Sequence, residues 1–286
     1  MFKKIKEQHI LLAPPLFWLL LFFIIPIFIV IGYSFNIGVA GSSSSDAFTF
    51  DYYKQALQGI YIGIFLKSFV YALVTTILTL CMAFPMAYFM SFASPRTKLL
   101  IMFLIILPFW TNFLIRMYSI MTLLGDSGLI NSALLYLGVI NEPLKMINNS
   151  FGMYVGFVYW NLPFMVLPIF SSLDRMDVSL LEASLDLGAS RRQTFMKITL
   201  PYAIPGLVAG IIFTFIPTLG NFVIPEFLGG TENTMIGNVI TAQYLQARNW
   251  PFGSALSTVL MFVIMIFISL YIRFFDPTKS KNGINF

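Results

Sequence analysis

Long apolar runs separated by polar connections make up most of the chain. The runs lie at about 10–33, 68–90, 99–124, 151–173, 202–224 and 255–275. Each is about 20 residues long or more, the length that an α-helix needs to cross the hydrocarbon core of a bilayer. The first run is too long for a signal-peptide core and lacks a small-residue cleavage site, so we expect it to be retained. The pattern predicts an all-α polytopic membrane protein with six transmembrane helices in one domain over 1–286.

Two shorter patterns add detail to this picture. The apolar stretch 128–138 is bounded by glycines and is too short to span, so it predicts an interfacial or re-entrant helix. In the fifth run, Gly206 and Gly210 have the Gly-x-x-x-Gly spacing that predicts a close helix–helix contact. Pro217 and Gly220 then predict that the outer half of the same helix opens, because proline frees a backbone carbonyl.

The composition places the chain among membrane proteins. Hydrophobic residues make up 58% of it and charged residues only 10%, whereas soluble domains carry about 25% charged residues. The net charge of +5 comes from residues at helix ends, so it indicates membrane topology rather than nucleic-acid binding. The single cysteine, Cys81, excludes an internal disulfide, and the lone His9 argues against a metal site.

Positive charges orient the predicted helices. Segments assigned to the cytoplasm contain 12 of the 17 Lys and Arg: Lys3, Lys4, Lys6, Arg96, Lys98, Arg175, Arg191, Arg192, Lys197, Arg273, Lys279 and Lys281. Because cytoplasmic loops of membrane proteins are enriched in Lys and Arg, both termini are predicted in the cytoplasm. Residues 36–60 and 226–253 then lie outside.

The most polar connection is the loop 174–201. A Ser-x-x-Glu spacing from Ser179 to Glu182 predicts a capping box at the start of a short helix, and Gly188 supplies its stop. A Ser-x-x-Gln box at 190–193 predicts a second short helix. Two short helices that meet at a glycine form a surface on which another protein can dock.

The sequence of this loop resembles a motif of ABC importer permeases. Their cytoplasmic loop has the form Glu-Ala-Ala, three residues, Gly, nine residues, Ile-x-Leu-Pro. The matching residues here are Glu182, Ala183, Ser184, Gly188, Ile198, Leu200 and Pro201, with serine replacing the second alanine. The resemblance implies that this coupling loop (residues 174–201) docks in a groove of an ATPase subunit, and Pro201 is expected to open the next long helix. An alternative is a capped amphipathic loop in which Glu182 only satisfies backbone N–H groups.

The resemblance extends from about residue 10 to 275 and is to permeases of spermidine/putrescine importers, in particular the first of their two permease subunits. The strings that carry it are Leu107–Asn112, Leu114–Arg116, Asn161–Met165, Pro217–Pro225, Leu228–Gly230, Ile236–Ile240 and Asn249–Gly253. It implies a type I ABC importer permease fold in a bacterial inner membrane. Many relatives have an acidic residue where this chain has Asn221.

The implied partners are a second permease in a heterodimer, two copies of a cytoplasmic ABC ATPase and an extracytoplasmic polyamine-binding protein. No Gly-Lys pair occurs in the sequence, so the chain has no Walker loop. We therefore expect it to be no enzyme and to bind no cofactor, with ATP and Mg on the partner ATPase. Alternatives are an importer of iron(III) or another small cation, an ion-driven carrier, or a membrane scaffold. Ion-driven carriers usually hold ionisable groups at mid-membrane, and the predicted spans lack buried carboxylates.

Aromatic residues with polar edges lie on the predicted outer halves of the spans, and their ring faces are suited to hold a cation. The predicted substrate path comprises Trp110, Tyr159, Trp160 and the opened backbone near Asn221, with Glu226 as an outer attractant. For each aromatic residue, the alternative is an interfacial belt without a ligand role.

Arg116 is the only charge embedded in a predicted span. A charge inside the membrane marks a functional site by default, because it is costly to remove from water. Its position near the outer end also allows the side chain to reach the interface. Both interpretations stay open at this point.

Overall fold

The computed structural model describes residues 14–37 and 48–275, and regular secondary structure in that part of the chain is helical. The helices are α1 (Pro14–Ser34), α2 (Asp51–Ala56), α3 (Gly59–Phe92), α4 (Pro95–Ile106), α5 (Phe113–Leu124), α6 (Leu129–Tyr136), α7 (Ser150–Leu173), α8 (Ser179–Asp186), α9 (Arg191–Leu219), α10 (Ile236–Leu245) and α11 (Trp250–Phe275). A 3-10 turn at Leu107–Trp110 and a π turn at Pro225–Gly229 connect some of them. The expected start of the first span at 10, both termini and the Gly/Ser-rich stretch 41–45 lie outside the described residues.

Six helical stretches within the described residues are long and apolar enough to cross a membrane, as predicted. They are Pro14–Ser34, Gly59–Phe92, Phe113–Tyr136, Ser150–Leu173, Arg191–Leu219 and Trp250–Arg273. Several extend beyond the predicted apolar runs, because the helical hydrogen bonding continues through flanking residues that were assigned to the loops. The helix α3, for example, begins at Gly59 rather than at 68, and α11 begins at Trp250 rather than at 255.

The predicted third span, 99–124, is wrong as a single helix. The helix α4 ends at Ile106, a 3-10 turn follows, and α5 begins only at Phe113. Pro108 lacks an N–H, and its ring excludes a regular α-turn before it. Thr111 is extended, and the side chain of Asn112 accepts a hydrogen bond from the Leu114 N–H at 2.8 Å. Asn112 thereby caps a new helix.

The described chain divides into two compact units. One comprises the described residues within Met1–Gly63 and Val239–Met265, and the other those within Ile64–Asn238 and Ile266–Phe286. In the first unit, the rings of Tyr61 and Phe252 meet edge to face at 5.1 Å, and the hydroxyls of Tyr244 and Ser254 share a hydrogen bond of 2.8 Å. The second unit contains the coupling loop and most of the predicted substrate path.

The core of the second unit forms where α7 packs against α9. Glycines allow this contact: a Cβ added to Gly206 would lie 2.3 Å from the carbonyl oxygen of Pro168. One added to Gly210 would lie 2.7 Å from the sulfur of Met165. The predicted Gly-x-x-x-Gly contact is confirmed, and its backbones approach too closely for any side chain.

The N-terminal part of α3 is tied to the chain that precedes α10. The Tyr71 hydroxyl donates to the Asn233 Oδ1 at 2.5 Å, and the Ser68 hydroxyl accepts from the Ile236 N–H at 2.8 Å. The Lys67 ammonium group donates to the backbone carbonyl of Glu232. Because these groups are polar and partly buried, the bonds fix this connection on α3.

Gly206→Val is expected to lower the thermal stability of the purified protein, because the added atoms overlap the backbone of α7 and overpacking costs about 1–3 kcal/mol or more. Gly63→Ala is the matched control, since a Cβ at Gly63 meets no atom within 4 Å. The measurement is the midpoint of thermal unfolding in detergent. Equal midpoints for the two variants would contradict the close contact.

Candidate functional site: the coupling loop and an aromatic cation cage

The first helix of the coupling loop, α8, begins differently from the prediction. The Ser179 N–H donates to the Asp177 Oδ1 at 3.0 Å, and Ser179 already lies inside the helix. This hydrogen bond lowers the pKa of the Asp177 carboxyl below its usual value of 3.8. The predicted Ser179–Glu182 capping box is therefore wrong. Asp177, an aspartate just before the helix, was the residue that could have indicated the true start.

The stop at Gly188 is confirmed. Its φ of +82° is a left-handed conformation that residues with a Cβ rarely adopt. The Gly188 N–H donates to the Leu185 carbonyl at 2.9 Å, and the Ala189 N–H donates to the Ser184 carbonyl at 3.1 Å. This pair of bonds is a Schellman motif, which satisfies the last carbonyls of α8.

The second capping box is confirmed as well. The Gln193 N–H donates to the Ser190 Oγ at 3.3 Å, and the Ser190 N–H donates to the Gln193 Oε1 at 2.8 Å. The hydroxyls of Ser184 and Thr194 lie 2.7 Å apart and share a hydrogen bond. Ser184, which replaces the second alanine of the family motif, therefore joins α8 to α9 within the loop.

Pro201 was predicted to open the next long helix, and this prediction is wrong. The helix α9 is continuous from Arg191 to Leu219 and passes through Pro201. A π turn over Phe195–Thr199 precedes the proline, and the Leu200 N–H donates to the Phe195 carbonyl, five residues back. The wider turn removes the clash that a proline ring makes with a regular α-turn. The second half of the coupling loop is thus the first part of the helix that forms the fifth span.

The two helices of the loop enclose an open groove of about 610 Å³. Its lining is mostly small or apolar: Leu180, Ala183, Ser184, Leu187, Gly188, Ala189, Gln193, Lys197 and Ile198. Leu187 is 88% exposed, and a Cβ added to Gly188 would meet no atom within 4 Å. Exposed apolar side chains around small residues are typical of a surface that another protein covers. An ion pair between Lys98 and Asp174, at 2.5 Å, joins the start of the loop to the first turn of α4.

The predicted aromatic path residues occupy distinct environments. Trp110 is 76% exposed, and its ring meets that of Phe103 edge to face at 6.3 Å. Tyr159 is partly buried and lines a cavity of about 290 Å³ together with Pro108 and Phe109. The structure therefore places Tyr159 at a cavity inside the second unit, whereas Trp110 projects outward.

Asn221 and Glu226 lie in the connection after α9, which ends at Leu219. The Asn221 Oδ1 accepts from the Ile224 N–H at 2.9 Å and so begins the next helical turn. The Asn238 amide donates to the Glu226 Oε2 at 3.1 Å and to the Phe222 carbonyl at 2.8 Å. The helix stays regular through Pro217 and ends at Leu219, so it breaks at Gly220 instead of opening over its outer half as predicted. The polar groups of Asn221 and Glu226 are engaged with neighbouring backbone and side chains. The role of both residues in a substrate path stays a prediction.

The most unusual environment in the second unit belongs to Arg116 on α5. Its guanidinium carbon lies 4.5 Å from the ring centroid of Phe109, 5.0 Å from that of Trp160 and 5.9 Å from that of Phe113. We call these three rings the cation cage. Arg116 is only 8% exposed, so its side chain is buried among the rings. Trp160 was singled out from the sequence, but its partners Phe109 and Phe113 were not, since phenylalanine is abundant in every span.

Comparisons with known proteins agree with this architecture. Residues 55–281 match the family described as "Binding-protein-dependent transport system inner membrane component". The chain is 40% identical over 256 residues to the spermidine/putrescine transport system permease protein PotB of Escherichia coli (strain K12), covering 90% of this chain and 93% of that protein. It is 39% identical over 268 residues to PotB of Salmonella typhimurium (strain SL1344), covering 94% and 93%.

A solved structure has the same fold at low sequence identity. It is a bacterial alginate ABC transporter in complex with an alginate pentasaccharide-bound periplasmic protein. The superposition has a TM-score of 0.76 at 17% identity and covers 96% of both chains. At that identity the likeness establishes the fold and nothing further about the ligand.

The start of α8 is expected to depend on pH through Asp177. Because folding lowers the pKa of this carboxyl, its stabilisation is present above the unfolded value of 3.8 and is lost as the pH falls through the lower folded value. Asp177→Ala should speed hydrogen exchange at the Ser179 amide at neutral pH, whereas Ser179→Ala should leave exchange in the first turn unchanged. Acceleration by Ser179→Ala alone would contradict this assignment.

Proposed function

The chain belongs to the family of binding-protein-dependent transport system inner membrane components, and on that premise we propose that it is the permease subunit of an ATP-driven importer of polyamines. It is a multi-pass protein of the bacterial inner membrane. The observation that carries the substrate class is the identity of 39–40% to two PotB permeases across at least 90% of the chain. Both are permease proteins of spermidine/putrescine transport systems.

The chemistry of the membrane-spanning helices supports a cationic substrate. A polyamine carries several positive charges on an apolar chain, and removing water from them is costly unless other groups replace it. The ring faces of the cation cage already hold one cation, Arg116, at distances of 4.5–5.9 Å. Among the six membrane-spanning stretches of described residues, Asp126, in the turn between α5 and α6, is the one Asp or Glu, so weak cation–π contacts rather than ion pairs are available along the helices themselves. Weak contacts suit transport, because the substrate must also leave.

The proposed assembly contains a second permease, two copies of a cytoplasmic ABC ATPase and an extracytoplasmic polyamine-binding protein. The family is defined by its dependence on a binding protein, and the related alginate transporter forms a complex with a periplasmic one. The groove of the coupling loop provides an apolar surface for the ATPase. The substrate passes between the two permeases, near Trp110, Tyr159, Trp160 and Asn221, with Glu226 at the entrance.

Transport is coupled to ATP through the coupling loop. Closure of the ATPase dimer on ATP moves the groove, and α9 transmits the movement because it is continuous from Arg191 to Leu219. Near its outer end, the Thr218 hydroxyl accepts a hydrogen bond of 3.0 Å from the Asn161 side chain of α7. ATP thus shifts the equilibrium between an inward-open and an outward-open permease.

Uptake by the reconstituted importer tests the substrate. Proteoliposomes that contain both permeases and the ATPase, supplied with the binding protein and internal ATP, should accumulate labelled spermidine or putrescine. Iron(III) and other small cations should neither accumulate nor compete. Accumulation of iron(III) with no uptake of either polyamine would favour the alternative importer and overturn the proposal.

Gly188→Trp is expected to abolish ATPase binding or to uncouple hydrolysis from uptake, because the indole fills the docking groove. Gly138→Trp is the matched control, since Gly138 also has a positive φ, +67°, and open space around its Cβ, but lies outside the coupling loop. The measurements are co-purification of the ATPase and polyamine uptake at equal membrane levels. Normal uptake by Gly188→Trp would overturn the coupling role.

A further inference from the structure

Arg116 is a buried cation without a counter-charge in the described part of the chain. Its Nε and Nη1 are buried and have no hydrogen-bond partner. The ion pairs of the described residues are Lys54–Asp51 and Lys98–Asp174, and neither involves Arg116. A guanidinium removed from water normally requires acceptors for its N–H groups. Among the described residues, the contacts of its guanidinium group are with the three rings of the cation cage.

The cage is a cation site in its own right. Ring centroids within about 6 Å of a positive charge attract it, and tryptophan does so most strongly. Phe109, Phe113 and Trp160 meet that condition from two helical segments and the turn between α4 and α5. Contacts of 5.4 Å between Phe109 and Trp160 and 4.5 Å between Phe113 and Trp160 fix the rings relative to one another. The rings therefore form a preorganised group that does not depend on Arg116 for its shape.

An apolar cavity adjoins the cage. Its volume is about 290 Å³, and Phe109 lines both the cavity and the cage. Tyr159, Leu162 and Pro163 of α7 form much of the remaining wall. Such a cavity suits a chain of methylene groups, and the cage beside it suits an ammonium group. A primary amine on an aliphatic chain has this combination of features.

We propose that the cation cage is the subsite for one terminal ammonium group of the polyamine, and that Arg116 occupies it when no substrate is bound. This inference rests on the proposed polyamine function. The guanidinium is a tethered competitor: substrate binds only when Arg116 leaves the rings, and the return of Arg116 displaces the ammonium group. The missing acceptors at Nε and Nη1 favour departure, because water or another polar group satisfies those N–H groups once the side chain moves.

The competition has a direct consequence for transport. A cage without Arg116 holds the ammonium group more tightly and releases it more slowly. Affinity and turnover should therefore change in opposite directions when the tethered cation is removed. If Arg116 had only a structural role, its removal would lower both the affinity and the turnover.

The test measures spermidine binding and initial uptake by the complete importer in nanodiscs and proteoliposomes. Arg116→Met replaces the guanidinium with an apolar side chain, and we expect spermidine Kd to fall by about tenfold while uptake slows. Arg116→Lys keeps a tethered cation and should resemble the wild type in both measurements. Arg273→Met is the control for loss of a positive charge, since Arg273 is an exposed residue near the end of α11.

A second variant assigns the gain in affinity to the rings. Phe109→Leu in the Arg116→Met background should return the Kd to the wild-type value or above it. If the Arg116→Met complex assembles normally but binds spermidine as well as or more weakly than the wild type, the inference about the cage is overturned. The proposed polyamine function is not affected by that result. Loss of the second permease from purified Arg116→Met complexes also overturns the inference about the cage, because Arg116 would then be an assembly contact. A wild-type importer that neither binds nor transports polyamines overturns the proposed function instead.

Discussion

The contact on which the rest of the second unit depends is the approach of Gly206 to the carbonyl of Pro168. Two backbones can meet at this distance only if one of them has no side chain, as the 2.3 Å separation for an added Cβ indicates. In a membrane, helices gain little from burying apolar surface, so close packing of this kind is what holds them together. The contact sets α9 against α7, and α9 in turn determines where the coupling loop lies.

Proline has opposite effects at two positions of the chain, and the local sequence explains the difference. At Pro108 the helix is interrupted, because Asn112 is able to cap a new helix four residues later. At Pro201 the helix continues, because the π turn over Phe195–Thr199 widens it just before the proline. Neither outcome follows from the apolar pattern, which is unbroken around Pro108, where the helix stops, and changes at Pro201, where the helix continues. An asparagine after Pro108 was the one local indication of a break.

Features of the sequence that act locally could be predicted, whereas those that depend on distant contacts could not. The number of spans, the stop at Gly188 and the Ser190–Gln193 box each follow from residues that are adjacent or one turn apart. The cation cage brings together residues from 109 to 160, and no spacing in the sequence relates Phe109 to Trp160. The burial of Arg116 could not be predicted either, because a residue near the end of a predicted span can also be exposed.

The π turn before Pro201 has a consequence for the phase of the fifth span. A π turn is equivalent to one residue inserted into an α-helix, and each residue of an α-helix corresponds to a rotation of about 100°. Most residues that line the docking groove precede this turn, with Lys197 and Ile198 within it, whereas Gly206 and Gly210, which pack on α7, follow it. The inserted residue therefore rotates one surface relative to the other by about a quarter of a circle. The direction from which the proposed ATPase would approach the permease thus depends on the extra residue of this π turn as well as on the side chains of the groove.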